Sequence, residues 1–360
     1  MEKQKVHVES WHDGPDSTAP NTSSFRHVYL FENQTMKDWN SSEMLPRVPR
    51  SLKIVFFISS FILLLYFLCA SSRDSSQKSI QFNHKNGPIG DQLFSLFSHI
   101  GVARTIGRTP VINTVNNAEL IEQLSKVVVL RFPSILNQFS IVIQPITPVN
   151  GNLGTDEVSY EDPIEIFSKY ATLSIMVDGN GFKSYQYFDN IRSEIRLWML
   201  GNAENLQEAK NLLSESLRNN FKLCVHATPE TQKNFTIKAV SQMLDHYTKE
   251  NDRVMLVVSA TDPGFIRNIF QDKRIKKFDI EKFSLVSSPP ELQLTFSRIY
   301  CDAVFITFPY SSFGWWMGFL AREEKSPVFY FDPDAFPLQN TTIQNDMFPP
   351  KWKKVSRKIE

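Results

Sequence analysis

The sequence is short of cysteine, of glycine and of surplus charge. Three cysteines among 360 residues leave no disulfide framework, and neither a Cys-x-x-Cys pair nor a Cys/His spacing for zinc occurs. No HExxH is present, and no Asp-x-Asp stands at a strand end. Asp332-Pro333-Asp334 has that spelling, but its proline and late position mark a turn. No Ser-His-Asp signature for acyl transfer is found. Lys+Arg 39 against Asp+Glu 38 gives a net charge of +1, which excludes recruitment to nucleic acid by bulk charge. What is there is a globular composition, 42% hydrophobic and 21% charged, with room for one or two domains. The 29 phenylalanines suit a large core and one apolar span.

That span covers residues 54–70, with uncharged residues to Ser72, and it is apolar on every face. It lies at the short end of what crosses a bilayer, roughly 17–25 residues. About 50 polar residues precede it, which disfavours a cleaved leader, whose apolar region sits near the N-terminus. Arg47, Arg50 and Lys53 before it, against Arg73 and Lys78 after it, favour a cytosolic N-terminus. The short length suits the thinner membranes of the early secretory pathway. The expectation is a single-pass type II membrane protein: a disordered cytosolic tail over 1–50, an anchor over 54–72, a stem over 73–79 and a lumenal domain. Asn21, Asn33 and Asn40 lie in Asn-x-Ser/Thr triplets on the cytosolic side of that arrangement. Asn234 and Asn340 lie on the lumenal side, as candidate glycosylation sites.

The lumenal part alternates strands and helices. Strands are expected over 79–83, 110–112, 126–130 and 140–143, and a loop over 145–163. Helices are expected over 91–106, with Leu93, Leu96, Phe97, Ile100 and Ala103 on one face, and over 189–199 and 205–218. The second half repeats the pattern more clearly: strands over 222–226, 253–258, 303–307 and 328–331, and helices over 236–249, 262–270, 290–300 and 312–321. Such alternation implies parallel sheets with covered faces, here two Rossmann-like domains with a cleft between them. Ligands of open parallel sheets sit at the carboxyl ends of the strands. The pairing of Cys224 and Cys301 is not readable, and buried thiols are expected.

Four segments are candidates for a site. Gly87-Pro88-Ile89-Gly90-Asp91-Gln92 is a glycine turn opening a helix, neither GxGxxG nor a P-loop; its bland reading is a helix cap. Residues 178–188, with Lys183, Tyr185 and Gln186, mix aromatic and polar groups as a carbohydrate surface does, or form an ordinary loop on the core. His226 ends a strand, where it serves as acid, base or hydrogen-bond partner, or as a structural histidine. Ser311-Ser312-Phe313-Gly314-Trp315-Trp316 places two hydroxyls and free N–H groups at a helix N-terminus, an anion cradle. Of the adjacent tryptophans, one is expected to face the core of its own domain and the other the neighbouring domain.

In this order the four segments resemble the alpha-1,2-fucosyltransferase family, the galactoside 2-alpha-L-fucosyltransferases. Gly87-Pro88-Ile89-Gly90-Asp91-Gln92-Leu93-Phe94 is similar to that family's G-x-x-G-N-Q-M-F, and Gly181-Phe182-Lys183-Ser184-Tyr185-Gln186-Tyr187-Phe188 to its G-Y-x-Q-S-x-K-Y-F. Ser311–Trp316 is close to S-T-F-G/S-W-W, and Phe348-Pro349-Pro350-Lys351-Trp352 to the closing P-x-x-W. The resemblance implies a GT-B fold, with an acceptor-side domain over 80–220, a donor-nucleotide domain over 221–335 and a C-terminal tail over 336–360. It implies GDP-fucose as donor substrate, a galactose-bearing glycan as acceptor, inversion at the anomeric carbon, and no metal or other cofactor. The leaving diphosphate is then neutralised by cations, backbone N–H groups and helix dipoles. The donor residues implied are His226, Lys233, Ser259, Asp262, Ser311, Ser312 and Phe313. Those of the acceptor cleft are Gly87, Gly90, Asp91, Gln92, Lys183, Tyr185 and Gln186. The catalytic base is not named.

The sequence departs from the family at two points. Where the family reads H-x-R-R-G-D, His226 is kept but Thr228 and Pro229 replace the arginines, leaving Lys233 as the nearby cation. Asp91 replaces an asparagine. Two readings therefore stand: a Golgi fucosyltransferase, and a non-catalytic member that binds glycans or a partner transferase.

Overall fold

A computed structural model describes residues 78–356, apart from 85–86, 114–127, 129, 143–147, 157, 171–172, 180–181, 230 and 334–345. The tail at 1–50, the apolar run at 54–72, most of the stem and Asn340 lie outside the described residues. Among the described residues no helix is long and apolar enough to cross a membrane.

The chain forms two parallel sheets with helices between the strands, an α/β fold. The first sheet has five strands: β1 (Ser79–Phe82), β2 (Thr109–Asn113), β3 (Ser140–Val142), β4 (Val149–Asn152) and β5 (Ile175–Asp178), in the order β3-β2-β1-β5-β4. The second has six: β6 (Phe221–His226), β7 (Val254–Ser259), β8 (Glu281–Ser284), β9 (Ala303–Ile306), β10 (Val328–Phe331) and β11 (Lys353–Val355), in the order β11-β10-β9-β6-β7-β8. Register places His226 opposite both Ser259 and Ile306, so three strands end level with one another.

The helices that matter for the site are α1 (Ile89–Thr105), α2 (Pro133–Leu136), α3 (Pro163–Phe167), α4 (Arg192–Trp198), α5 (Ala203–Asn211), α6 (Lys233–Glu250), α7 (Pro263–Gln271), α8 (Lys273–Lys276), α9 (Pro290–Tyr300) and α10 (Ser312–Phe319). The expected apolar face of α1 is buried throughout, and Gly107 at φ +63° ends the run, a left-handed turn that favours glycine. Several expectations need correction. Val128 and Leu130 are helical, not strand. The expected loop over 145–163 contains β4, and 205–218 is a helix only to Asn211, followed by a single 3-10 turn at Glu215–Leu217.

One hydrophobic cluster runs through the seam between the sheets. It joins Phe94, Phe97 and Phe188 to Trp315, Trp316 and Phe319, while the far side of the second sheet has its own cluster around Leu223, Val240 and Phe305. Helix α10 is the centre of the seam. Trp315 and Trp316 are both 0% exposed, because every face of α10 is covered. Both rings pack on Phe94 of α1, at 4.7 and 5.1 Å, so both rather than one of them reach the neighbouring sheet's side of the seam. Their N–H groups are satisfied as burial requires: Trp316 Nε1 donates to the Gly90 carbonyl at 2.9 Å, and Trp315 Nε1 to that of Met347 at 2.8 Å. The buried Arg196 of α4 donates to the carbonyls of Phe319, Ala321 and Arg322 beyond the end of α10, where helix carbonyls lack internal partners. Burial pulls its guanidinium down to about 10.

Cys224 and Cys301 form a disulfide, not the expected free thiols. Cys224 lies on β6 and Cys301 just ahead of β9, the strand paired to it, so parallel pairing brings their Cα atoms to 5.6 Å across 77 residues of sequence.

Candidate functional site

The carboxyl ends of β6, β7 and β9 carry His226, Ser259 and the turn into α10. His226 is 6% exposed and sits in a chain of polar contacts. Its Nε2 lies 2.8 Å from Ser311 Oγ, and its Nδ1 3.5 Å from Ser259 Oγ. Ser259 donates to Gln293 Oε1 at 2.6 Å, and Gln293 donates to the Ser288 carbonyl at 2.8 Å. These directions leave Ser259 Oγ to accept from Nδ1–H, while Nε2 shares its hydrogen bond with the Ser311 hydroxyl. Ser311 also caps α10, accepting from Gly314 N at 3.1 Å.

Gly314 is a glycine for a steric reason. A Cβ there would lie 2.5 Å from His226 Cδ2, so the imidazole rests on bare backbone. The phenyl ring of Phe313 lies 5.5 Å from the imidazole. From the other sheet Gly90 approaches the same point: a Cβ on it would lie 2.6 Å from Phe313 N and 2.7 Å from Ser312 Oγ. The first turns of α1 and α10 therefore meet backbone to backbone, and two helix N-termini with their positive dipole ends converge beside His226.

Asp91 and Lys183 stand next to this contact as an ion pair, Nζ to Oδ1 3.2 Å, with Lys183 largely buried. Lys183 follows Phe182, whose φ of +54° is rare for a residue with a side chain. The Phe182 ring occupies the space that side chains on Gly154 and Gly179 would need, and packs on Phe82. The carboxylate that replaces the family's neutral amide thus has a lysine partner. Gln92 donates to the Gly87 carbonyl at 2.8 Å and closes the glycine turn.

Other expected site residues lie elsewhere. Asp262 caps α7, accepting from Gly264 N at 2.7 Å. Lys233 is the exposed first residue of α6, and its charge acts on Asp272. Gln186 donates to Asp346 Oδ1 at 2.7 Å and Ser184 to the Asp346 carbonyl at 2.7 Å, so this segment fastens the C-terminal stretch. Tyr185 lines a groove at the amino ends of the strands. Asn234 is exposed in the first turn of α6. At Thr228 and Pro229 the loop is a tight turn: the Thr228 carbonyl accepts from Thr231 N and Oγ1, and Thr231 Oγ1 lies 3.3 Å from that of Thr307. Among the described residues no three His, Cys, Asp or Glu gather as metal ligands.

The sequence reading missed a buried chain in the first sheet. Ser95 Oγ lies 2.7 Å from His84 Nδ1, His84 Nε2 lies 3.2 Å from His99 Nδ1, and His99 Nε2 lies 2.8 Å from the Ile80 carbonyl. The carbonyl end orients the whole chain: His99 donates to it, His84 donates to His99, and Ser95 donates to His84. Burial pulls the His84 imidazole down to about 4, and that of His99 well below its ordinary value with His84 adding to the effect. Ser95 and His99 are four residues apart on α1, but nothing in that spacing distinguishes them from core positions.

No family model matches the sequence. The uncharacterized protein T25D10.1 of Caenorhabditis elegans is 55% identical over 318 residues, covering 86% of this chain and 97% of that one. A galactoside 2-alpha-L-fucosyltransferase of the same animal is 28% identical over 321 residues, covering 79% of each. Among solved structures, the fucosyltransferase NodZ from Bradyrhizobium aligns with 68% of this chain and 94% of its own, at 13% identity and a TM-score of 0.46. The chain is therefore similar to galactoside 2-alpha-L-fucosyltransferases of Caenorhabditis elegans, at 26–28% identity over 74–79% of its length.

Proposed function

We propose that this protein is a glycosyltransferase of the GT-B type that moves L-fucose from GDP-fucose to a galactose-containing glycan, forming an alpha-1,2 linkage with inversion. The observation that carries this reading is the meeting of α1 and α10 beside His226: two helix N-termini, the Ser312 hydroxyl and the imidazole share one point at the carboxyl ends of parallel strands. Backbone N–H groups and dipole ends of this kind stabilise the charge that develops on a leaving diphosphate. Lys183 is paired with Asp91, in the first turn of α1, and so supplies a cation beside that contact. The Thr228–Thr231 turn, without arginine, favours the second reading, a non-catalytic member that binds glycans or a partner transferase.

A membrane-anchored protein with its folded domain in the Golgi lumen fits this role. The Cys224–Cys301 disulfide requires an oxidising compartment, Asn234 is exposed, and the apolar run at 54–70 precedes the fold.

Calorimetric titration of the full-length chain with GDP and with GDP-fucose tests the proposal. Micromolar binding is expected, weakened at least tenfold by Gly314→Ala, whose methyl group displaces His226. A folded chain that binds neither ligand at millimolar concentration rules out transfer and leaves the non-catalytic reading.

A further inference from the structure

We propose that the groove at the amino ends of the second sheet's strands is a binding site for an acidic oligosaccharide, separate from the carboxyl-end site and independent of whether fucose is transferred. The groove encloses about 750 Å³. Its position follows from the chain. Pro327 immediately precedes β10 and Trp352 immediately precedes β11, and both line it. On the other wall Asn190 donates to the Gly101 carbonyl and to Thr105 Oγ1, in the last turns of α1, far from the Gly90 end. Register sets Val328, the first residue of β10, level with Cys224, two residues before His226 and two strands away, so the groove opens at the opposite ends of the strands from His226.

The lining selects the ligand class. Tyr185 and Trp352 are partly exposed rings facing one space. Trp352 is fixed from behind by Trp315, 5.2 Å away, so its free face is held in place at little entropic cost. Flat aromatic faces pack against the C–H faces of pyranose rings, and the hydroxyls of Ser193 and Ser326 and the amide oxygen of Asn190 supply directional partners for sugar hydroxyls. Charge decides neutral against acidic. Arg192, Lys325, Lys351 and Lys353 line the groove against Asp189 and Glu324. Asp189 accepts from Arg192 Nε and Nη2 through one oxygen, and the guanidinium rests 5.2 Å from the Phe319 ring, which fixes it without covering its remaining donors. Lys351 is exposed and forms no ion pair among the described residues. The excess of cations over carboxylates occurs in a chain whose net charge is only +1, so it is a local segregation of charge. A sulfated or carboxylated saccharide satisfies both the rings and the cations; an acidic peptide satisfies only the cations.

The test titrates the full-length chain with a sulfated heparin-derived hexasaccharide, a neutral N-acetylglucosamine hexasaccharide and a hexaglutamate peptide, reading heat and tryptophan fluorescence. Micromolar binding of the sulfated sugar is expected, at least tenfold weaker for the other two. The double variant Lys351→Glu/Lys353→Glu should lose at least tenfold with an unchanged melting temperature, and Tyr185→Ala about fivefold. Lys276→Glu/Lys277→Glu, an equal charge reversal on the exposed surface at α8, should change nothing, and saturating GDP should not compete. Absence of binding by the folded chain overturns the proposal. Equal binding of hexaglutamate, or an equal loss from the α8 variant, overturns it in favour of unspecific charge attraction. The GDP titration is read separately, so failure of the transferase reading leaves this result intact.

Discussion

The two sheets share one plan, parallel strands with connecting helices, but are held together by different chemistry. In the second sheet β7 and β9 are buried at every residue, and a disulfide ties the segment before β9 to β6. Both sheets bury polar groups, Lys222 and His226 in the second among them, but the first also buries two histidines in contact with each other. Ser79, Gln81, His84, His99, Arg108 and Asn113 are all under 10% exposed, and the two histidines rely on one chain of hydrogen bonds ending at the Ile80 carbonyl. Apolar burial and a covalent tie are indifferent to protons, whereas a neutral buried imidazole is not. The first sheet should therefore be the acid-sensitive part of a fold whose second sheet is redox-sensitive.

The largest expected effect is that of acid. The folded values of His84 and His99 lie below the unfolded value of about 6.5, so above that pH neither state gains a proton and the contribution of the pair is complete. As pH falls below 6.5 the unfolded chain takes up protons that the folded one refuses. Each imidazole then removes roughly 1.4 kcal/mol per pH unit, and His84 alone about 3 kcal/mol by pH 4. Denaturant unfolding of the wild type and of His84→Gln/His99→Gln, from pH 7 to pH 5, measures the difference in slope. Equal slopes would remove the contrast between the sheets.

The disulfide comes next. Cys224→Ala/Cys301→Ala frees a loop of 77 residues in the unfolded chain and should cost about 4 kcal/mol, with no added pH dependence. Because one hydrophobic cluster runs through the seam, the loss should lower a single transition seen by both tryptophan fluorescence and far-ultraviolet dichroism. Two separated transitions would mean that the sheets unfold independently.

How much of this was legible follows the same contrast. The strands at 222–226, 253–258, 303–307 and 328–331 were readable because both their faces are covered and their sequences run apolar. Three of the four edge strands were not: β8 reads Glu-Lys-Phe-Ser, β11 Lys-Lys-Val and β4 Val-Asn-Gly-Asn, each with too little apolar surface to mark a period. In the site, His226 and Ser311 were readable from their place at strand and helix ends. Gln293 was not, since it reaches Ser259 from α9 only after folding, and neither was the ion pair of Asp91 with Lys183, residues 92 positions apart in sequence. The neighbours of Tyr185 and Gln186 were not legible either: the motif gives adjacency, but only folding sets Tyr185 in the groove and Gln186 on Asp346.

The seam offers a sharper cut. A methyl group on Gly101 would lie 2.2 Å from the Tyr187 carbonyl oxygen and 2.7 Å from Phe188 Cα, both backbone atoms with little room to give. Gly101→Ala should cost about 3 kcal/mol by forcing apart α1 and the segment that carries Phe188 into the seam.

The smallest effect discriminates most finely between packing and polar satisfaction. Trp316→Phe keeps an aromatic ring among Phe94, Phe97 and Phe188 but removes the donor to the Gly90 carbonyl. Some apolar contact goes as well, so about 2 kcal/mol is expected in total, of which roughly 1 belongs to the hydrogen bond. Gly90 sits against Phe313 N and Ser312 Oγ, so freeing its carbonyl should also loosen the contact of the two helix N-termini. Nucleotide affinity should then fall more than the loss of stability explains, in a variant that is fully folded at the temperature of the titration. If stability drops and GDP affinity does not, the meeting of α1 and α10 is a packing contact alone, and the leaving-group site lies elsewhere along the carboxyl ends of β6, β7 and β9.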